Sequence, residues 1–356
     1  MKLIKSGNTF RIFGDDLQTF DKLPAGTYKI QFAPMAGFYF EQVDDFTMIE
    51  EKIYGNHMEK ISKVLNSYQS VNRSLGIILS GDKGMGKSLF TQLLSAEVIK
   101  LGLPVIMVSQ PYPGVADFID SIDQECLVMF DEFEKVFSKQ GDKGESQDSL
   151  LGLFDGTSQK KRLYVVTVNR LSQVSEYMVS RPGRFHYHIR FDYPSANEIE
   201  VYLKDKVKPE YHGEIKHVIA FANRVKLNYD RLRAIVFELN LGYSFHSAIG
   251  DLNILSIENQ YYDIKVNFSN GKTVDIKSQR LDMFTDQVNV NTYTDESDWF
   301  SITFNPAYLD NQMNISGEHV QYQTSDDNDI YTKDLQVINV NVSLCKGSGV
   351  NYKLAI

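Results

Sequence analysis

Residues 77–88 read Ile77-Ile78-Leu79-Ser80-Gly81-Asp82-Lys83-Gly84-Met85-Gly86-Lys87-Ser88, and Leu89, Leu93, Leu94 and Ala96 follow at helical spacing. A short apolar run, a glycine-rich loop ending in Lys-Ser and an apolar helical pattern predict a strand, a loop and a helix in direct succession. Glycines let backbone N–H groups converge on phosphate oxygens at a helix N-terminus, where the helix dipole also favours anions. In that geometry Gly81, Asp82, Lys83, Gly84, Met85, Gly86 and Leu89 contribute to the cradle. Lys87 meets the β- and γ-phosphates, and the Ser88 hydroxyl is a ligand for Mg²⁺.

Working outward, three further apolar runs, Val105–Val108, Leu127–Phe130 and Tyr164–Val168, alternate with helical patterns. Continuous apolar runs of this length mark parallel strands buried on both faces. The second run ends in Asp131-Glu132, an acidic pair placed to meet the same metal: Asp131 as its holder, Glu132 as the base that polarises an attacking water. The last run closes in Asn169-Arg170, with Asn169 a candidate for orienting that water. Ser180-Arg181-Pro182-Gly183-Arg184-Phe185 places Arg181 and Arg184 on either side of a Pro-Gly turn, which predicts exposed guanidinium groups suited to phosphoryl charge. From Pro194 to Ile249 the periodicity is helical, with Ile215, Val218, Ile219 and Ala222 on one stripe and Leu232, Ile235, Val236 and Leu239 on another.

The flanks differ in character. Tyr262, Ile264, Val266 and Phe268 alternate, Asn270-Gly271 interrupts, and Val274 and Ile276 resume, which predicts a hairpin with a two-residue turn. Further alternation at Phe300–Phe304 and Ile338–Leu344 makes residues 251–356 an expected all-β domain. That stretch holds 15 acidic against 7 basic residues, a net of −8 of the chain's −9. A solvated surface and a docking face for a basic partner both explain it. Phe10, Ile12, Tyr28, Ile30 and Phe32 predict a smaller β subdomain at residues 1–50.

With 356 residues, 42% hydrophobic and 23% charged, the chain can bury several cores, which excludes intrinsic disorder. Its acidity argues against a protein whose affinity comes from neutralising nucleic-acid phosphates. The start lacks the apolar stretch of a secretory signal and no apolar run reaches membrane-spanning length, so a cytoplasmic protein with no membrane partner is expected. Cys126 and Cys345 stand far apart, at no metal-ligand spacing.

Gly81–Ser88, Phe130-Asp131-Glu132, Leu150–Gly156, Thr167-Val168-Asn169-Arg170 and Arg181-Pro182-Gly183-Arg184-Phe185, in that order, resemble the motifs of the AAA family of ATPases in its narrow sense, over about residues 50–245. The resemblance implies an α/β P-loop core at 51–193 with a helical lid at 194–250, Mg-dependent ATP hydrolysis, and a homo-oligomeric, usually hexameric ring. Arg181 and Arg184 would then be fingers on the next subunit's nucleotide. Tyr54 and Gly55 lie where the family's linker covers the adenine. The short stretch between Val108 and Leu127 resembles the abbreviated form in the mitochondrial translocase of the folded Rieske protein. Tyr112-Pro113-Gly114 resembles an aromatic substrate-gripping loop, with a proline-rich turn as the alternative and Phe118 as the fallback.

Three functions remain open on the sequence: a ring that remodels, assembles or translocates protein, a nucleic-acid motor or loader, and a scaffold locked by nucleotide. The acidic balance makes nucleic acid the less favoured partner and a protein substrate the expected one. The unfamiliar flanks suit a phage-encoded protein, whose compartment would be the host cytoplasm.

Overall fold

The computed structural model describes residues 1–46, 52–137, 144–155, 160–179, 183–252, 254, 260–283, 285–293, 299–310, 312–324 and 336–345. They fall into two units, Met1–Phe191 and Asp192–Ile356.

The first unit is built on the apolar runs. β5 (Leu75–Ser80), β7 (Cys126–Phe130) and β8 (Arg162–Val168) are buried at every residue, as expected of strands covered on both faces. With β6 (Val105–Val108) and β9 (Tyr187–Arg190) they form a parallel array, β6-β7-β8-β5-β9. The connections carry α1 (His57–Ser70), α2 (Lys87–Lys100), α3 (Val115–Ser121), α4 (Phe133–Val136), α5 (Leu151–Phe154) and α6 (Glu176–Val179). Since the strands are parallel and consecutive ones are joined by crossovers, the loops after β5, β7 and β8 emerge at one edge of the sheet, where ligands of open α/β sheets bind.

The expected β subdomain at residues 1–50 is corrected. β1 (Lys2–Ser6) and β2 (Thr9–Phe13) do form a hairpin of their own. However, β3 (Thr27–Ala33) pairs in parallel with β6, Thr27 opposite Val105, and β4 (Gly37–Val43) pairs antiparallel with β3. The main sheet therefore has seven strands, β4-β3-β6-β7-β8-β5-β9. β3 is buried at Tyr28 and Ile30 and only partly buried or exposed from Gln31 to Ala33, so its sequence alternates like that of a free-standing hairpin.

The second unit begins with the expected helices: α7 (Ala196–Lys206), α8 (Ile215–Ala222), α9 (Tyr229–Asn240) and α10 (Phe245–Asp251). Ser195 and Glu198 close a capping box on α7, and Asn228 and Ser244 cap α9 and α10. β10 (Gln260–Phe268), β11 (Thr273–Leu281), β12 (Val288–Tyr293), β13 (Trp299–Phe304), β14 (Asn314–Ser316), β15 (Val320–Thr324) and β16 (Val337–Leu344) make two antiparallel sheets, β11-β10-β16-β14 and β12-β13-β15, around one apolar core. The hairpin at Asn270-Gly271 is present with Gly271 at φ 82°, but Phe268 N–H donates to Lys272 C=O at 3.0 Å, which lengthens the expected two-residue turn to the three residues between them. Helices and sheets are tied together: Tyr262 donates its hydroxyl to Arg224 C=O at 2.6 Å, and the Arg224 guanidinium donates to Leu309 C=O at 2.8 Å.

Candidate functional site

The glycine-rich loop leaves β5 through Gly81, turns at Gly84 and enters α2 at Gly86, with φ of 151°, 79° and 95°. These are backbone conformations that side chains disfavour. A Cβ at Gly81 would fall 2.4 Å from Phe191 C=O. No side chain caps α2, so the donors of its first turn are left for a ligand. Asp82 and Lys83 are exposed, Met85 is buried beneath the loop, and Leu89 is partly buried in the first turn of α2.

Lys87 is 8% exposed, and its ammonium donates to Gly81 C=O, to Asp82 C=O at 2.9 Å and to Asn169 Oδ1 at 3.0 Å. Burial pulls it below the ordinary lysine range, while the carboxylates of Asp82, Glu134, Asp131 and Glu132 pull it back. Four acids around one cation keep that cation charged and aimed at the loop.

The acidic pair sits at the tip of β7. Glu132 takes up a left-handed backbone, φ 46° and ψ 45°, unusual outside glycine. The turn is pinned beneath by Phe133, fully buried between Phe130 and Phe137. Thr167 stitches it to β8: its hydroxyl accepts from Glu132 N–H at 2.9 Å and donates to Asp131 Oδ1 at 2.6 Å. Glu132 Oε1 accepts from Lys135 at 2.6 Å and from Asn169 Nδ2 at 3.4 Å. The Lys135 hydrogen bond is the main reason that its carboxyl lies below the usual carboxylate range. Asn169 thus lies between Lys87 and Glu132, one amide atom on each.

Ser88 and Asp131 are both exposed oxygen donors. Among the described residues no three His, Cys, Asp or Glu side chains could cage an ion by themselves. Mg²⁺ does not require a cage: it keeps several waters and takes one or two protein oxygens together with substrate phosphate. The residues present fit that mode of binding.

Arg181 lies outside the described residues. Two other expectations meet a different arrangement. Arg184, expected on an exposed turn, is 6% exposed and bound within its own chain: its guanidinium pairs two-pronged with the Asp155 carboxylate, Nη2 to Oδ2 at 2.8 Å, and donates to Tyr177 C=O. Gly183 leaves room for the turn, but the charge of Asp155 on α5's end draws the guanidinium inward. Tyr112, expected to grip a substrate, packs on Phe32 and Phe38 with centroids at 5.9 and 6.3 Å and donates to Gln31 at 3.2 Å. Phe118 stacks on Phe38 at 4.7 Å. Both aromatics are held by the β3–β4 hairpin, whose place in the sheet was not foreseen.

Two residues to which the sequence assigns no role, Thr167 and Glu134, belong to the site. A third, His57, follows the Tyr54-Gly55 linker: its Nδ1 donates to Tyr54 C=O at 2.9 Å, leaving Nε2 buried with no partner, between Phe90 and Phe191. Burial lowers the basicity of this imidazole. Thr167 was visible within the strand's end, and Glu134 two residues beyond Glu132, but neither spacing signals a contact.

Residues 77–193 match the model of the ATPase family associated with various cellular activities (AAA). An ATP-dependent zinc metalloprotease FtsH of Aster yellows witches'-broom phytoplasma is 30% identical over 148 residues, 36% of this chain and 21% of that protein. The ATP-dependent zinc metalloprotease FTSH 9, chloroplastic/mitochondrial, of Oryza sativa subsp. japonica is 28% identical over 151 residues, 37% of this chain and 19% of that one. An uncharacterized AAA domain-containing protein of Schizosaccharomyces pombe is 23% identical over 212 residues, 54% and 27% of the two chains. The chain thus spans about a fifth to a quarter of the length of these relatives. A solved chain of the HORMA:CdnC:Trip13 complex of E. coli MS115-1 covers 57% of this chain and 89% of its own at 14% identity and a TM-score of 0.43. With the phosphate loop, the acidic strand tip and Asn169 gathered at one edge of a parallel sheet inside the matched segment, residues 77–193 form a domain that matches the AAA family.

Proposed function

We propose that the chain is an Mg-dependent ATPase that works as a homo-oligomeric ring, usually hexameric in this family, to remodel, assemble or translocate a protein substrate. The observation that carries the hydrolytic part is Asn169, bonded at once to the phosphate-loop lysine and to the acid at the strand tip. The loop, α2's uncapped N-terminus and Lys87 bind the phosphates. Mg²⁺ held by Ser88 and Asp131 would neutralise phosphate charge when bound. Glu132, kept ionised by Lys135, accepts the proton of the attacking water, and Asn169 fixes the place of that water against the γ-phosphate. Tyr54 and Gly55 line the side where the base would lie. Arg181 supplies the charge that a neighbouring subunit adds.

The protein substrate is favoured over nucleic acid by the acidic net charge. Two matched relatives are ATP-dependent zinc metalloproteases by name, which also connects this domain to work on protein. The test is a pair of variants. Lys87→Ala should abolish ATP binding, whereas Glu132→Gln should retain binding and lose turnover, both measured with Mg-ATP by calorimetry and phosphate release. Undiminished turnover in Glu132→Gln would sink the assignment of the base.

A further inference from the structure

Glu134 is not among the residues that the phosphate-loop motifs single out, yet three observations connect it to them. Its Oε1 accepts the backbone N–H of Asn169 at 3.0 Å. Its Oε2 is shut off from solvent and has no hydrogen-bond partner. Its charge acts on Lys87, second only to that of Asp82 among the carboxylates around that lysine. A buried carboxylate oxygen without a donor costs free energy that a neutral side chain would not incur, so its retention calls for a reason.

The local geometry supplies one. Beyond Val168, β8 stops pairing, and Asn169 is the first residue past its end. Its side chain must nevertheless bridge Lys87 and Glu132, two groups on different loops. Besides the Asn169 amide itself, two side chains among the described residues tie the end of β8 to the acidic turn: the Thr167 hydroxyl, on Asp131 and on Glu132 N–H, and the Glu134 carboxylate, on Asn169 N–H. Thr167 sets the acids with respect to the strand. Glu134 sets the Asn169 backbone, and hence the direction in which its amide leaves the chain. The left-handed residue Glu132 is what makes this reach possible, because it turns the chain into α4 and brings Glu134 back over the tip of β8.

Resting on the ATPase reading above, we infer that Glu134 is the positioning residue of this site: through the backbone of Asn169 it aims the Asn169 amide at the water that Glu132 activates. It touches neither nucleotide nor water. A displacement of about 1 Å at a reacting group can cost on the order of 10²-fold in rate, so Glu134→Ala should lower kcat by roughly 10- to 100-fold.

The experiment compares Glu134→Ala, Glu134→Gln, Asn169→Ala and the double Ala variant, each in the full chain. Turnover of Mg-ATP is read beside the dissociation constant of a non-hydrolysable ATP analogue. Glu134→Ala should lose kcat with analogue affinity within about threefold of the parent, since the loop and Lys87 keep their own contacts. Glu134→Gln keeps an acceptor for Asn169 N–H and should recover most of kcat. The double variant should be no slower than Asn169→Ala alone, because both changes remove one device. The inference is overturned by an unchanged kcat in Glu134→Ala, by effects that multiply in the double variant, or by a Gln variant as slow as the Ala one. Loss of analogue affinity in proportion to kcat would likewise replace positioning by a general structural role. If Glu134→Ala does not fold, the Gln variant and its combination with Asn169→Ala decide the matter alone. A parent chain that binds ATP without hydrolysing it would instead bring down the ATPase reading, and this inference with it.

Discussion

Replacing Arg184 separates two accounts of that residue. As a finger, Arg184 would do its work in a neighbour's nucleotide site and its removal would leave the fold of its own chain intact. The structure puts it in its own core instead, paired two-pronged with Asp155 and donating to Tyr177 C=O. The Arg184 side chain is 6% exposed and that of Asp155 30%. Breaking a fully buried pair by removing one partner costs about 3–5 kcal/mol. The exposure of Asp155 lets water take over part of its solvation, which lowers the expected loss to about 2–3 kcal/mol. For a unit of this size that corresponds to a fall in melting midpoint of roughly 4–12 °C. Arg184→Lys should recover little of it, because an ammonium cannot reproduce the two-pronged contact. The measurement is thermal unfolding of Arg184→Ala, Arg184→Lys and Asp155→Asn beside ATP turnover taken well below every midpoint. An Arg184→Ala variant that melts with the parent while losing turnover would refute the reasoning and restore the finger.

Other outcomes follow from the same contacts. Thr167→Val removes the hydroxyl that bridges Asp131 and Glu132 N–H, and should lower kcat by on the order of 10-fold or more with the fold retained; turnover equal to the parent's would show that the bridge is dispensable. Tyr112→Ala strips a ring from Phe32 and Phe38 and a hydrogen bond from Gln31, so it should destabilise the first unit by about 1–2 kcal/mol and leave turnover intact at permissive temperature. A stable Tyr112→Ala variant that fails only in work on a substrate would return this residue to a gripping role. His57, whose basicity is lowered by burial, remains neutral in the fold where the unfolded chain already binds a proton. Stability therefore holds above the ordinary histidine value of 6.5 and declines as pH falls from there through the lowered folded value. His57→Gln should flatten that slope in denaturation curves taken across this range.

The proposed nucleotide site could be read from the sequence because its chemistry is local. Gly81–Ser88 and Asp131-Glu132 are contiguous in sequence, and each lies at the end of a run whose apolar continuity announces a buried parallel strand. Asn169, at the end of another such run, was read the same way, and its amide meets Lys87 and Glu132. Thr167 and Glu134 were missed as actors because their roles exist only across the gap between β7 and β8: nothing in a sequence says that a hydroxyl one strand away will bridge an acid to a backbone N–H. The exposure expected of Arg184 failed for a related reason. Its turn, Pro182-Gly183, is a valid signal for exposure, yet Asp155 sits 29 residues earlier and is brought beneath it by the sheet.

Tyr112 and Phe118 show how one unforeseen strand pairing changes the reading of a distant loop. Their segment joins β6 to α3 and, taken by itself, resembles a free aromatic loop. β3 precedes β6 by more than 70 residues in the chain, so neither its alternation nor its composition indicates that it will continue the parallel sheet past β6. Once it does, the β3–β4 hairpin brings Phe32, Phe38 and Phe40 alongside the connection. An aromatic beside two others, in a partly buried position, gains more from packing than from projecting into solvent. Tyr112 then joins the apolar core on the same side of the sheet as Phe130 and Tyr164. The short segment between Val108 and Leu127 is thereby a packed connection, with Tyr112 and Phe118 against the β3–β4 hairpin.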